Sequence, residues 1–169
     1  MSLWSERTPQ RLRVVCQPGA IPRPTMLGRR GLSSDRRRGE YMFDHKPRLL
    51  VVDDDPQVLR AYARILQHDF TVESCADGTS ALRRIAKAPC FDVILCDRYL
   101  AKGLSGQDVF ESLSIDLQWR TVICSGCEPD EDDAFAAALG DRFFMKPGHL
   151  SALVLLLLRV ARVPPQVAA

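Results

Sequence analysis

Arg48-Leu-Leu-Val-Val-Asp-Asp-Asp-Pro56 is an apolar run that stops at three acids and a proline. Four consecutive aliphatic side chains leave no polar face, which reads as a short strand covered on both sides. Asp55 and Pro56 carry the marks of a helix start. A carboxylate there can accept from the first free N–H groups, and proline has φ already set for the first turn. Val58, Leu59, Tyr62, Ile65 and Leu66 then recur at helical spacing. A buried strand feeding an amphipathic helix is the first half of a strand–helix–strand unit.

The same alternation continues downstream. A weaker strand is predicted over 71–75, then a helix over 78–88 with Ala81, Leu82, Ile85 and Ala86 inward and Pro89 as its stop. Asp92-Val-Ile-Leu-Cys96 is the third strand, ending at Asp97; a loop with Gly103 and Gly106 leads to a helix near 107–117. Strands over 121–124 and 142–145 flank an Ala-rich helix over 131–139, and a last helix over 150–163 ends at Pro164 and Pro165. Five strands alternating with five helices predict an α/β fold whose parallel sheet is covered on both faces. Right-handed crossovers and the short length favour the doubly wound, flavodoxin-like order 2-1-3-4-5.

Upstream of this pattern the chain changes character. Residues 1–41 hold nine Arg, no Lys and three acids, with four Pro and four Gly, whereas residues 42–169 hold fourteen bases and eighteen acids. The overall charge of +2 therefore describes neither part. A segment with so little apolar patterning cannot offset its ordering entropy, so residues 1–45 are expected to be a disordered basic tail, with Met42 a candidate true start. A basic arm touching nucleic acid or acidic lipid and an organellar transit peptide are the weaker readings. The ordered domain is expected over 46–163, with a short tail at 164–169. Across 169 residues, 46% hydrophobic and 26% charged composition is ordinary for a globular chain and excludes a disulfide-stapled miniprotein. The longest apolar stretch, 150–158, is broken by Ser151 and is far shorter than the roughly 20 residues that span a bilayer.

In an open parallel sheet, ligands bind beyond the carboxyl ends of the strands. Strand one ends in Asp53, Asp54 and Asp55, strand three in Asp97, strand four in Ser125 and strand five in Lys146. In the predicted order these strands are neighbours, so the residues share one cleft. Clustered carboxylates repel one another, and a hard divalent cation relieves that; an oxygen-only set open to water and phosphate suits Mg²⁺. A carboxylate beside a cation and a lysine is equipped to accept a phosphoryl group as an aspartyl-phosphate, with the Ser125 hydroxyl able to donate to it. Asp55 reads as the helix cap rather than a further ligand.

With those motifs in order, the chain resembles the receiver domain of two-component response regulators over about residues 47–163. The resemblance rests on Leu49-Leu-Val-Val-Asp-Asp-Asp-Pro56, Val93-Ile-Leu-Cys-Asp97, Val122-Ile-Cys-Ser-Gly126 and Phe143-Phe-Met-Lys-Pro147. It implies that Asp97 is the phosphoacceptor, that Asp54 binds Mg²⁺ directly with Asp53 assisting mainly through water, and that the Tyr99 carbonyl is a further metal ligand. It implies that Lys146 pairs with the phosphoryl group, with a cis bond to Pro147, and that Ser125 and Phe143 form the switch. Leu100 and Ala101 replace the Met-Pro pair common after the acceptor. Gly106 stands nine places after Asp97, as in receivers often attached to hybrid kinases. Phe143 lacks a tyrosine hydroxyl, so a switch there acts by packing alone.

The resemblance implies a non-enzymatic, stand-alone receiver in a phosphorelay, whose only chemistry is its own phosphorylation and dephosphorylation. Its donor is a sensor histidine kinase or a histidine phosphotransfer protein, and its output is contact with a downstream protein. A phosphate sink without output is the alternative. A Mg²⁺-dependent phosphohydrolase is the enzyme-class rival, disfavoured because position 99 is Tyr rather than an acid. Without a helix-turn-helix pattern no DNA binding is expected. Cys124-Ser-Gly-Cys127 lacks the second pair or histidine a zinc site needs, and Cys96 and Cys124 read as small core residues. Free thiols fit the cytoplasm. In the last helix Leu150, Leu153, Val154, Leu157 and Ala161 are expected inward. Leu155, Leu156 and Leu158 remain as an apolar stripe for a partner or a second copy.

Overall fold

The computed structural model describes residues 46–87, 91–146 and 148–162. The expected tails at 1–45 and 164–169, Pro147 with its peptide bond, and Val163 lie outside the described residues. The elements run β1 (Arg48–Val52), α1 (Pro56–Leu66), β2 (Thr71–Cys75), α2 (Gly78–Lys87), β3 (Val93–Asp97), α3 (Gly106–Ser112), α4 (Ile115–Trp119), β4 (Thr121–Ser125), α5 (Ala134–Leu139), β5 (Phe143–Met145) and α6 (Leu150–Ala161). All strand pairs are parallel, and the order is β2-β1-β3-β4-β5, as the alternation predicts.

The central strands are buried on both faces because their side chains alternate between two cores. Leu49, Val51, Val93, Leu95, Val122 and Cys124 face α1 and α6, meeting Leu66, Phe70, Leu153 and Leu157. Leu50, Val52, Ile94, Cys96 and Ile123 face the other way, onto Ala81, Ile85, Val109, Leu117 and Leu139 of α2, α3, α4 and α5. The period-two alternation is concealed in the sequence because both faces demand apolar residues.

Several expectations at the edges need correction. The single helix predicted near 107–117 is two, so the described residues contain six α-helices rather than five. Leu113 and Ser114 both take extended backbone at the break, which turns Leu113 fully into the core. The Gln118 side chain donates to the carbonyls of Phe110 and Leu113 and bridges the two pieces. The helix predicted over 131–139 begins only at Ala134, because the Asp133 carboxylate caps it by accepting from the Ala136 N–H at 2.9 Å. Arg142 belongs to a 3₁₀ turn rather than to β5. Ala86 is exposed rather than inward. In α6, Leu153, Leu157 and Ala161 are buried as expected; Val160 joins them, while Leu150 is 40% exposed and Val154 half-buried.

Candidate functional site

The register of the sheet assembles the site. Val52 pairs with Cys96, so the next residues, Asp53 and Asp97, emerge side by side; Asp97 pairs in turn with Cys124, and Ser125 with Met145. Asp53 is 3% exposed, while Asp54, Asp97 and Lys146 are half-buried. One oxygen from each of Asp53, Asp54 and Asp97 lies within 4.8 Å of the others. The Lys146 ammonium donates to Asp53 Oδ2 at 2.7 Å and to Asp97 Oδ1 at 3.2 Å. Asp53 Oδ1 accepts the Asp55 N–H at 3.0 Å, and Asp55 caps α1 by accepting from Gln57 at 2.7 Å, as its position in sequence predicts. Just past Asp97, the Gly106 N–H donates to the Arg98 carbonyl at 2.9 Å. A Cβ on Gly106 would sit 2.0 Å from the Asp97 carbonyl oxygen, so only glycine lets α3 begin there.

The electrostatics follow from crowding. Burial raises the Asp97 pKa above the ordinary carboxylate value; Lys146 pulls it down, and the charges of Asp53 and Asp54 push it up again. Burial works against the Lys146 ammonium, but the hydrogen bond to Asp53 and the charges of Asp97 and Asp53 outweigh it and hold the ammonium charged. Three carboxylates face one ammonium, and every donor besides the lysine is an oxygen. That set fits a hard divalent cation of the Mg²⁺ kind.

A family model described as the response regulator receiver domain matches residues 49–157. The chain belongs to this family. Solved structures agree with the assignment. A chemotaxis response regulator, CheY4 of Vibrio cholerae, is 26% identical with a TM-score of 0.58, over 69% of this chain and 99% of that one. A structure described as adenylate cyclase from Rhodopirellula baltica is 26% identical with a TM-score of 0.57, over 69% and 88%. The response regulator TrrA of Thermotoga maritima, solved in complex with Mg²⁺ and BeF, shares the fold at 19% identity with a TM-score of 0.57, over 68% and 98%. Among curated proteins none matches the chain.

In this receiver the remaining predicted residues are placed as follows. The Ser125 hydroxyl is fully buried and turned toward its own loop: it donates to the Cys127 carbonyl at 2.7 Å and accepts the Cys127 N–H at 3.1 Å. Phe143 opens β5, half-buried. Tyr99 stands two residues past Asp97 with its ring exposed. Cys96 and Cys124 are buried thiols; burial raises both, Cys124 to about 12. Cys127 is exposed, and the described cysteines are free thiols.

Two residues that the sequence reading did not single out stand beside this set. Arg98 forms an ion pair with Asp133, and both side chains are largely covered. Its guanidinium lies 5.3, 5.8 and 5.5 Å from the ring centres of Tyr99, Phe135 and Phe143. Asp133 is held below the usual carboxylate range, first by the Ala136 N–H and then by Arg98. A basic residue next to Asp97 is a visible signal, but nothing in the sequence ties it to an acid from a distant loop.

Proposed function

We propose that this receiver takes a phosphoryl group onto Asp97 from a phosphohistidine of a sensor histidine kinase or a histidine phosphotransfer protein. The observation that carries this reading is the Lys146 ammonium spanning Asp53 and Asp97 beside a third carboxylate, Asp54. An Asp97 oxygen attacks phosphorus, the P–N bond breaks, and its electron pair stays on the imidazole, which takes up a proton. Lys146 is within reach of the phosphoryl oxygens and offsets their charge. Asp53, Asp54, Asp97 and the Tyr99 carbonyl are the residues that would hold Mg²⁺, which supplies further positive charge against the phosphoryl oxygens. Attack by water on the acyl phosphate returns Asp97, so the chain turns over no outside substrate.

Signalling then passes by contact. Ser125 exchanges its Cys127 partner for a phosphoryl oxygen, the loop it leaves moves with it, and Phe143 repacks, so the surface offered to a downstream protein changes. Of the stripe expected at Leu155, Leu156 and Leu158, only Leu155 is mostly in solvent, at 68% exposed, while Leu156 and Leu158 pack against the core; Leu155 and Leu150 are the apolar residues α6 leaves for a second copy. No helix among the described residues is long and apolar enough to cross a membrane, and we place the protein in the cytoplasm. The test is intact-mass measurement after incubation with Mg²⁺ and acetyl phosphate. The expected result is one added phosphoryl group, lost on chelation and absent in Asp97→Asn. No addition from acetyl phosphate or from a phosphorylated histidine kinase overturns the reading.

A further inference from the structure

The segment from Ser125 to α5 is fastened at both ends. At one end the Ser125 hydroxyl holds the Cys127 backbone through two hydrogen bonds. At the other, Asp133 accepts from the first turn of α5 and pairs with Arg98. The Arg98 backbone is anchored on both sides: its N–H donates to the Cys124 carbonyl at 2.7 Å and its carbonyl accepts from Gly106. The ion pair therefore ties a loop to the rigid end of β3, one residue from Asp97. The same guanidinium lies over Phe143. That ring also borders a groove of about 320 Å³ walled by Pro129, Glu131 and Ala136. Phe143 is half-buried: it packs against the core on one side and borders the groove on another, with Arg98 over the ring.

We propose that Arg98 is a positioning residue for the acceptor site: its ion pair with Asp133 and its contact with Phe143 latch the resting arrangement and lower the affinity for a phosphoryl group. The inference rests on the reading of Asp97 as the acceptor. For Ser125 to donate toward a group on Asp97 it must release the Cys127 carbonyl, and residues 126–133 must shift. While Arg98 holds Asp133, only the fraction of molecules with the latch open is ready to bind, and apparent affinity falls by that fraction. The Arg98 side chain pairs with Asp133 and not with Asp53, Asp54, Asp97 or Lys146, and it approaches Tyr99 only at the ring, whereas the carbonyl is the group assigned to the metal, so its effect is expected on the second ligand rather than on the cation.

Beryllofluoride, which stands in for the phosphoryl group on a carboxylate, tests this by calorimetric titration in the presence of Mg²⁺. Asp133→Asn keeps a side-chain oxygen for the cap and removes the charge; Arg98→Gln removes the other partner. Each is expected to tighten beryllofluoride binding three- to tenfold, with affinity for Mg²⁺ alone unchanged. The double variant should gain no more than the stronger single one, because both remove one latch. Arg98→Lys, which keeps the charge, should fall between wild type and Arg98→Gln. Folded variants that bind beryllofluoride as wild type does, or more weakly, overturn the latch and leave the acceptor reading standing. Wild type that binds no beryllofluoride under any Mg²⁺ concentration overturns both.

Discussion

Burial, only partly offset by Lys146, disfavours the charged form of Asp97, and this has a measurable sign. Its folded pKa lies above the ordinary value, so the folded protein binds that proton more tightly than the unfolded chain does. In metal-free buffer Asp97→Asn should therefore be more stable than wild type near neutral pH. The gap should narrow as pH falls through the raised pKa and wild type becomes neutral there too. Thermal unfolding checks this, and Mg²⁺ should reverse the order, because it binds the folded wild type and lacks one ligand in the variant. The cysteines give a second residue-scale prediction. With Cys16 and Cys90 changed to Ser, alkylation at about pH 8 should label Cys127 rapidly, while Cys96 and Cys124, buried and raised, stay unmodified until the protein unfolds. That Asp53, Asp97, Ser125 and Lys146 share one edge was legible because each stops an apolar run, whereas Tyr99 and Phe143 were named only through the resemblance. Arg98 and Asp133 were not legible, because an ion pair between residues far apart in sequence leaves no periodic trace.

At the level of elements, α3 is pressed against the backbone of Asp97 and Arg98 through Gly106, where an added Cβ would meet backbone and not a side chain that can turn away. Gly106→Ala should cost about 2–3 kcal/mol and slow phosphorylation, since relief requires moving Asp97 or Arg98; chemical denaturation and phosphorylation rate read the two effects. Strand existence and order followed from apolar runs and short connections. The break between α3 and α4 was unreadable, since neither Gly nor Pro marks it and the buried Leu113 fits an unbroken helical stripe equally well. The late start of α5 was hidden for a related reason. Among several acids before the Ala run, only the backbone geometry selects Asp133 as the cap. In α6 nearly every position is apolar, so periodicity could not choose between Leu150 and Val160 for the core.

For the molecule as a whole, the sheet divides the labour. Both faces are apolar core, so the polar chemistry is confined to the carboxyl edge. Leu155→Lys should leave stability within about 0.5 kcal/mol of wild type, since that side chain is mostly in solvent. On the proposed contact of α6 with a second copy, it should also weaken any self-association of the phosphorylated protein seen in sedimentation experiments, while Mg²⁺ affinity stays the same. The most direct measurement of all fixes where the phosphoryl group goes. Protein treated with Mg²⁺ and acetyl phosphate, reduced with borohydride to convert an acyl phosphate to homoserine, and mapped by peptide mass spectrometry should carry homoserine at position 97 and nowhere else. Homoserine at position 53 or 54, or phosphorylated protein in which position 97 remains aspartate, would contradict Asp97 as the acceptor.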